Sequence, residues 1–268
     1  MTTSLIISTY NRPDALEVCL KSVAELNPLP NEVIVGDDGS REETAALVHR
    51  FQKDFPVTLR YIRQEDDGFR LAMIRNKCVA AASGEYIIQI DGDLFLHKRF
   101  IADHVRESRK GYFLKGGRVQ LGKELTENVC AALAPRRITP FTSGIEAKRA
   151  NALRMVAVAD YLAPRYRKNR ENVLGCNMSF FRDDFIAVNG YDENFEGWGG
   201  EDLDLSFRFK NLGLGKRYLK FCALSYHLWH REAPMDKSRG NHDTARKHRD
   251  EGVVKASRGV DRYLAVRR

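Results

Sequence analysis

Four short clusters hold the residues whose types and spacing could do chemistry. Asp91-Gly92-Asp93 sets two carboxylates two residues apart with a glycine between, so both can turn toward one point. Hard cations take oxygen ligands, and Mg²⁺ commonly uses one or two carboxylates together with substrate phosphates. The same tripeptide is also a strong tight-turn signal. Asp37-Asp38-Gly39-Ser40 offers carboxylates that could accept hydrogen bonds from a base or a ribose hydroxyl, or that could cap a helix and complement its dipole. His227 and His230 stand three apart, a spacing that one helical turn would bring to one face. Imidazole suits transition metals better than Mg²⁺. Two partly buried histidines beside Trp229 are the alternative. The sharpest cluster is Trp198-Gly199-Gly200-Glu201-Asp202. Two glycines let the backbone bend and approach a ligand. Trp198 offers an apolar plate, and a carboxylate beside it could serve as a general base. Otherwise Glu201 and Asp202 only complement a helix N-terminus.

These clusters need elements to carry them. Ser4 to Ser8 reads as a buried strand, and Pro13 and Asp14 can open a helix with Leu16, Leu20, Val23 and Leu26 as its apolar stripe. Glu32 to Gly36 is a second strand. Ser40 with Glu43 predicts a capping box for a helix through Phe51. Val57 to Ile62 is a strand, Leu71 to Ala82 a helix, and Tyr86 to Ile90 a strand. Strands alternating with helices predict an α/β fold with a mostly parallel sheet. Ligands bind beyond the carboxyl ends of such strands. Thr9-Tyr10, Asp37-Asp38 and Asp91 to Asp93 all follow strand ends, which predicts one shared rim. Farther on, Tyr112 to Val119, Asn177 to Phe181 and Arg217 to Tyr226 read as strands, Asp183-Asp184 as a helix start, and Leu203, Phe207 and Leu212 as one face of a helix. Residues 130–172 are basic and helix-prone, and the tail from Arg231 is polar.

The whole chain sets bounds on these readings. Its 268 residues are enough to bury about 70–75% of the unfolded surface without staples. An apolar share of 43% and a charged share of 30% exclude disorder and a membrane bundle. No window approaches 18 apolar residues, and no basic stretch precedes an apolar run at the start, so neither a spanning helix nor a secretory signal is expected. Cys19, Cys78, Cys130, Cys176 and Cys222 are odd in number and widely spaced, which favours a reducing compartment over a disulfide framework. The net charge of +8 attracts polyanions. It gathers in the middle (Arg136, Arg137, Lys148, Arg149, Arg154, Arg165, Arg167, Lys168, Arg170) and in the tail (from Lys237 to Arg268). An anionic membrane surface is the partner this pattern suggests, against a merely solvated surface.

Together the segments resemble family 2 glycosyltransferases. The resemblance rests on Ser4 through Pro13, Val35 through Ser40, Gly68-Phe69-Arg70, Arg75-Asn76, Ser83 through Tyr86 and Asp91-Gly92-Asp93. Gly190 to Glu193, Trp198 to Asp202 and Tyr226-His227 are similar to the galactosyltransferase-type module of bacterial chondroitin polymerases and polypeptide N-acetylgalactosaminyltransferases. The resemblance implies a GT-A fold: α/β, with a mostly parallel Rossmann-like sheet flanked by helices. Residues 1–110 would form the nucleotide-sugar half, 111–230 the acceptor-binding and catalytic half, and 231–268 a basic extension. It implies inverting transfer of a sugar, galactose or N-acetylgalactosamine favoured, from a UDP-sugar to a glycan or glycolipid hydroxyl in bacterial surface-polysaccharide or lipopolysaccharide synthesis. Thr9, Tyr10 and Arg12 would border the nucleotide, Asp37 or Asp38 would bond the uracil or ribose, and Arg70 and Arg75 would line the diphosphate region. Asp91, Gly92 and Asp93 match the family's D-x-D, with Asp93 the more direct metal ligand. His227 best matches the metal-binding histidine, with His230 in competition. Asp202 matches the general base, Glu201 an acceptor contact, and Trp198, Gly199 and Gly200 the acceptor platform. A mixed Asp and His ligand set favours Mn²⁺ over Mg²⁺. Leu94 and Phe95 depart from the family, many of whose members carry a further Asp there. The implied setting is cytoplasmic and peripheral on the inner membrane face, with no nucleic-acid partner.

Two alternatives remain at this level. A sugar-phosphate nucleotidyltransferase would want a Gly-rich loop with a Lys where Thr9 to Pro13 stands. A basic nucleic-acid-binding protein would want an aromatic RNA motif, zinc spacing or a basic recognition helix, and none is present.

Overall fold

The computed structural model describes residues 1–165, 173, 175–231 and 238–264. Its first half alternates as the periodicity predicts: β1 (Thr3–Thr9), α1 (Pro13–Ala24), β2 (Glu32–Asp37), α2 (Glu42–Gln52), β3 (Thr58–Arg63), α3 (Leu71–Ala81) and β4 (Tyr86–Asp91). The chain continues through β5 (Leu94–Leu96), α4 (Phe100–Glu107), β6 (Tyr112–Gly116), β7 (Val119–Leu121), α5 (Lys123–Ala132), β8 (Ile145–Ala147) and α6 (Val156–Leu162). Then come β9 (Asn177–Phe181), α7 (Arg182–Ala187), α8 (Glu201–Asn211), β10 (Gly215–Leu219), β11 (Ser225–His227) and α9 (Ser238–Asp250).

Seven strands form the larger sheet in the order β10-β6-β9-β4-β1-β2-β3. Only β9 runs antiparallel to its neighbours β4 and β6. All of β1 and β2 is buried, because helices cover both faces of the sheet. Alternate residues serve opposite faces. Leu5, Ile7, Val33 and Val35 pack with Leu16, Leu20 and Val23 of α1. Ile6 and Ile34 pack with Ile74 and Val79 of α3 and with Leu205 and Phe209 of α8. Each such side chain, fully buried, contributes about 1.5–3 kcal/mol.

Four strands, β5-β11-β7-β8, make a second, smaller sheet. It exists because two stretches predicted as continuous strands break. Residues 112–119 divide into β6 and β7, and 217–226 into β10 and β11, one piece in each sheet. Buried Asn177 is the reason. Its amide donates to the carbonyls of Gly117 (2.8 Å) and Ala223 (3.2 Å), and its oxygen receives His104 Nε2 at 3.1 Å. Both chains turn where they meet it, and Phe221 and Ala223 take positive φ to do so.

The expected capping box is also corrected. α2 starts at Glu42, and Ser40 does not cap it. Ser40 Oγ instead accepts from the backbone N–H of Asn11 (2.8 Å), and its own N–H donates to Asp37 Oδ1 (2.7 Å). The tail is not a loose strip of charge. α9 packs along α8, its Ala245 is fully buried, and His248 Nδ1 meets Asp204 Oδ1 at 2.7 Å. Val260 is buried against the α3 side of the sheet. The predicted basic residues Arg167, Lys168, Arg170, Lys237, Arg267 and Arg268 lie outside the described residues. All five cysteines are free. Among the described residues, no helix is long and apolar enough to cross a membrane.

Candidate active site

Strand register builds the rim. Thr9 pairs with Asp37 and Ser8 with Asp91, so the carboxyl ends of β1, β2 and β4 finish in one row. A cleft of about 1050 Å³ opens beyond them. Thr9, Tyr10, Arg12, Asp38, Asp91, Gly92 and Asp93 line it. The two aspartates predicted at the base or ribose separate. Asp37 is fully buried and holds its own turn, receiving Tyr61 Oη and the Ser40 N–H. Asp38 faces the cleft, accepting from the Arg70 N–H at 2.9 Å and from the Gln64 amide. Burial pushes its carboxyl up to about 6, against the pull of those hydrogen bonds. Arg70 itself pairs with Asp67 at 2.9 Å and borders a smaller adjacent recess.

β5 explains how the expected metal ligands come together. It pairs antiparallel with β11, placing Leu94 opposite His227, and the Leu228 N–H donates to the Asp93 carbonyl at 2.9 Å. The departure at Leu94 and Phe95 is therefore a buried strand that docks the histidine segment on Asp93. His227 Nε2 and His230 Nε2 lie 3.3 and 3.1 Å from Asp93 Oδ2. One ligand atom from each of the three residues falls within 4.8 Å of the others, so both histidines converge. Asp93 Oδ1 is buried with no hydrogen-bond partner. An orphaned carboxylate oxygen is costly unless a cation takes it. One carboxylate and two imidazoles form a mixed oxygen and nitrogen set that suits a divalent transition ion such as Mn²⁺ better than Mg²⁺. Asp91 is apart from that group: its Oδ1 accepts from Arg75 at 2.9 Å.

Arg75, predicted beside the diphosphate, is buried at 1% exposure. Its guanidinium meets Asp91 and Asp202 at 2.9 Å each and Glu201 at 3.5 Å, and it lies over the Tyr191 ring. It thus joins the carboxylate at the end of β4 to both acids of α8. Asp202 also accepts from the Gly175 N–H (2.7 Å) and Tyr191 Oη (3.0 Å). A Cβ on Gly175 would sit 2.1 Å from Asp202 Oδ1, so only glycine admits this approach.

The segment from Trp198 to Gly200, expected to be an acceptor platform, depends on the tail. Gly199 and Gly200 have φ of 88° and 98°, and a Cβ on Gly200 would meet Asn241 of α9 at 2.6 Å. Asn241 Nδ2 in turn donates to the Gly199 carbonyl at 2.8 Å. Trp198 and Trp229, the two tryptophans of the chain, both line the cleft and stay about two-fifths exposed. Sequence reasoning missed Tyr191, Gly175, Arg118 and His242 as parts of this site. Tyr191 stood within a motif already noticed, but nothing local marked the other three.

Glu201 is buried, and its Oε2 has no partner. Burial, then the neighbouring Asp202 charge, push its carboxyl up to about 8, while Arg75 opposes them. A carboxyl raised in the folded state binds its proton more tightly there than in the unfolded chain, whose value is about 4.3. Its contribution to stability is therefore complete below that value and is lost as pH rises through about 8. Thermal melts of Glu201→Gln across pH 5 to 9 should show a flatter pH profile and a higher midpoint at the alkaline end. Parallel profiles for the two proteins would contradict this.

Residues 4–187 match the family model "Glycosyl transferase family 2", and residues 154–231 match "N-terminal domain of galactosyltransferase". The chain is 28% identical over 253 residues to validoxylamine A glucosyltransferase of Streptomyces hygroscopicus subsp. limoneus, covering 88% of this chain and 52% of that protein. It is 25% identical over 225 residues to chondroitin synthase of Pasteurella multocida (strain Pm70), covering 76% and 22%. The chain thus spans about half of the first relative and about a fifth of the second. Two solved structures share the fold, each with a TM-score of 0.67. S. aureus TarS 1–349 in complex with UDP is 16% identical, over 99% of this chain and 70% of that one. GalNAc-T7 with UDP, GalNAc and Mn²⁺ is 17% identical, over 92% and 48%.

Proposed function

The chain belongs to glycosyl transferase family 2 and has the GT-A fold, and from that premise we propose an inverting, metal-dependent transfer of a sugar from a UDP-sugar to a hydroxyl of a glycan or glycolipid. Family membership sets aside the nucleotidyltransferase and non-catalytic alternatives. The observation that carries the reading is one cleft with two separate acidic centres. Asp93, His227 and His230 stand on its donor side, and Glu201 and Asp202 with Trp198 on its acceptor side.

Asp93, His227 and His230 would hold a divalent ion, which when bound would supply Lewis-acid neutralisation of the diphosphate's developing charge. Asp38, Thr9 and Tyr10 border the nucleotide at the strand ends. Trp198 stacks on the acceptor sugar and helps to exclude water. Asp202 takes the proton of the acceptor hydroxyl as its oxygen attacks the anomeric carbon. The bond from that carbon to the diphosphate oxygen breaks on the opposite face, its electron pair leaves with UDP, and the centre inverts. Galactose or N-acetylgalactosamine is the favoured sugar, supported by the galactosyltransferase match. Bacterial relatives support a role in surface-polysaccharide or lipopolysaccharide synthesis. Five free cysteines fit a cytoplasmic setting, and the net charge of +8 supports a peripheral place on the inner membrane face.

A panel of nucleotide sugars, assayed for release of the nucleotide, tests this reading. Turnover should vanish in chelator and return best with Mn²⁺. Asp93→Ala should weaken UDP binding in the presence of metal and leave metal-free binding nearly unchanged. His227→Ala and His230→Ala should both raise the Mn²⁺ requirement, because both imidazoles converge on one carboxylate. Full activity in excess chelator would sink the assignment.

A further inference from the structure

Between α5 and β9 the chain leaves apolar side chains in water. Phe141 is 92% exposed and Tyr161 61%, with Val158, Leu153 and Met155 at 38–40%. Among the described residues, five of the eleven exposed large apolar side chains fall within 141–161. They are presented by ordered backbone. Arg149 donates to the carbonyls of Pro140 (3.1 Å) and Thr142 (3.0 Å), fixing the loop that carries Phe141. Met155, Val158 and Tyr161 recur every third residue and so share one face at α6. Ala159 is fully buried on the side that packs inward.

The rim of this face is cationic. Arg136, Arg137, Lys148, Arg149 and Arg165 are exposed in the same segment, and the Arg165 guanidinium lies 4.4 Å from the Tyr161 ring centre. Its two acids are both directed elsewhere: Asp160 pairs with Arg106 at 3.0 Å, and Glu146 lines the cleft. An apolar patch within a basic rim is complementary to a bilayer. Aromatic and aliphatic side chains enter the boundary between headgroups and acyl chains, while Arg and Lys meet anionic headgroups. The tail lacks this combination, since α9 is basic without exposed large apolar side chains and lies along α8.

We propose that the 136–165 face, with Phe141, Val158 and Tyr161 as its apolar contacts, is a binding surface for an anionic phospholipid bilayer. Its place in the fold gives it a use. β8 lies within the same segment and carries Glu146 to the cleft wall, so the segment that would seat the enzyme also borders the cleft. That consequence rests on the glycosyltransferase reading; the binding itself does not.

The test is co-sedimentation of the full chain with phosphatidylcholine vesicles, with and without about one-third phosphatidylglycerol. Binding should require the anionic lipid at about 0.1 M salt and fall away at about 1 M, where the screening length shrinks to about 3 Å. Arg136→Gln with Arg137→Gln should weaken it by roughly fivefold per charge. Phe141→Ser with Val158→Ser and Tyr161→Ser should weaken it on the order of 100-fold. Arg246→Gln with Lys247→Gln on α9 should leave it unchanged. Retained Mn²⁺-dependent turnover without vesicles, or an unchanged melting midpoint, shows that the patch variants are folded. Equal binding to neutral vesicles, no binding at low salt, or an equal loss in the α9 pair would overturn the proposal. So would a dimer in solution that the apolar triple variant dissolves, because a second copy would then cover the patch. Vesicle binding requires no turnover, so it can fail or succeed independently of the transferase assays.

Discussion

Asp202→Asn is expected to lower kcat by about 10²–10⁴-fold, the usual contribution of a positioned general base, with UDP and Mn²⁺ affinity near wild type. An asparagine has nearly the same shape, and its one amide oxygen can still accept from the Gly175 N–H, so the base is lost with little change at the α8 terminus. The environment sharpens the test. Asp202 sits at a helix N-terminus and accepts from Arg75, Gly175 and Tyr191. A carboxylate so held works as a base only when the acceptor hydroxyl displaces water beside it. Glu201 is buried with an unpartnered oxygen and a raised carboxyl. Glu201→Gln should therefore act mainly on acceptor KM. The pH profile separates the two roles, because a base must be deprotonated to work. With Glu201 as base the acidic limb of kcat/KM would lie near pH 8, and Asp202→Asn would keep kcat within a few-fold of wild type.

Arg75→Met is expected to destabilise the fold by about 3–5 kcal/mol, the cost of removing one partner from a buried ionic cluster. At roughly 2–4 °C per kcal/mol for a domain near this size, the melting midpoint should fall by roughly 6–20 °C. The substitution leaves Asp91, Glu201 and Asp202 facing one another without their shared cation. Arg75→Lys should restore only part of the loss, since an ammonium cannot reproduce the fork that reaches Asp91 and Asp202 together. Calorimetry with UDP binding measured alongside distinguishes this from the diphosphate contact expected from the sequence. A diphosphate ligand would lose UDP affinity with the melting midpoint unchanged.

The sequence by itself determined the parts whose signal is local. Alternating apolar runs with turn residues at their ends specify β1 to β4 and the helices between them, because side-chain period and turn chemistry act over a few residues. The same locality exposed Asp91-Gly92-Asp93 at a strand end and Trp198 through Asp202 at a helix start. Tertiary structure decided what those residues face. Arg75 meets Asp202 across 127 residues of chain, and Asn177 breaks two strands by binding carbonyls 60 and 46 residues away. His227 and His230 converge on Asp93 only because β5 pairs with β11, and Leu94 to Leu96 is too short a run to announce a strand. The polar tail becomes a helix because Gly200 leaves room for Asn241 and Asp204 awaits His248. Each of these outcomes depends on contact between segments far apart in sequence, where desolvation and charge pairing outweigh local preference, and no window of neighbouring residues contains that free energy.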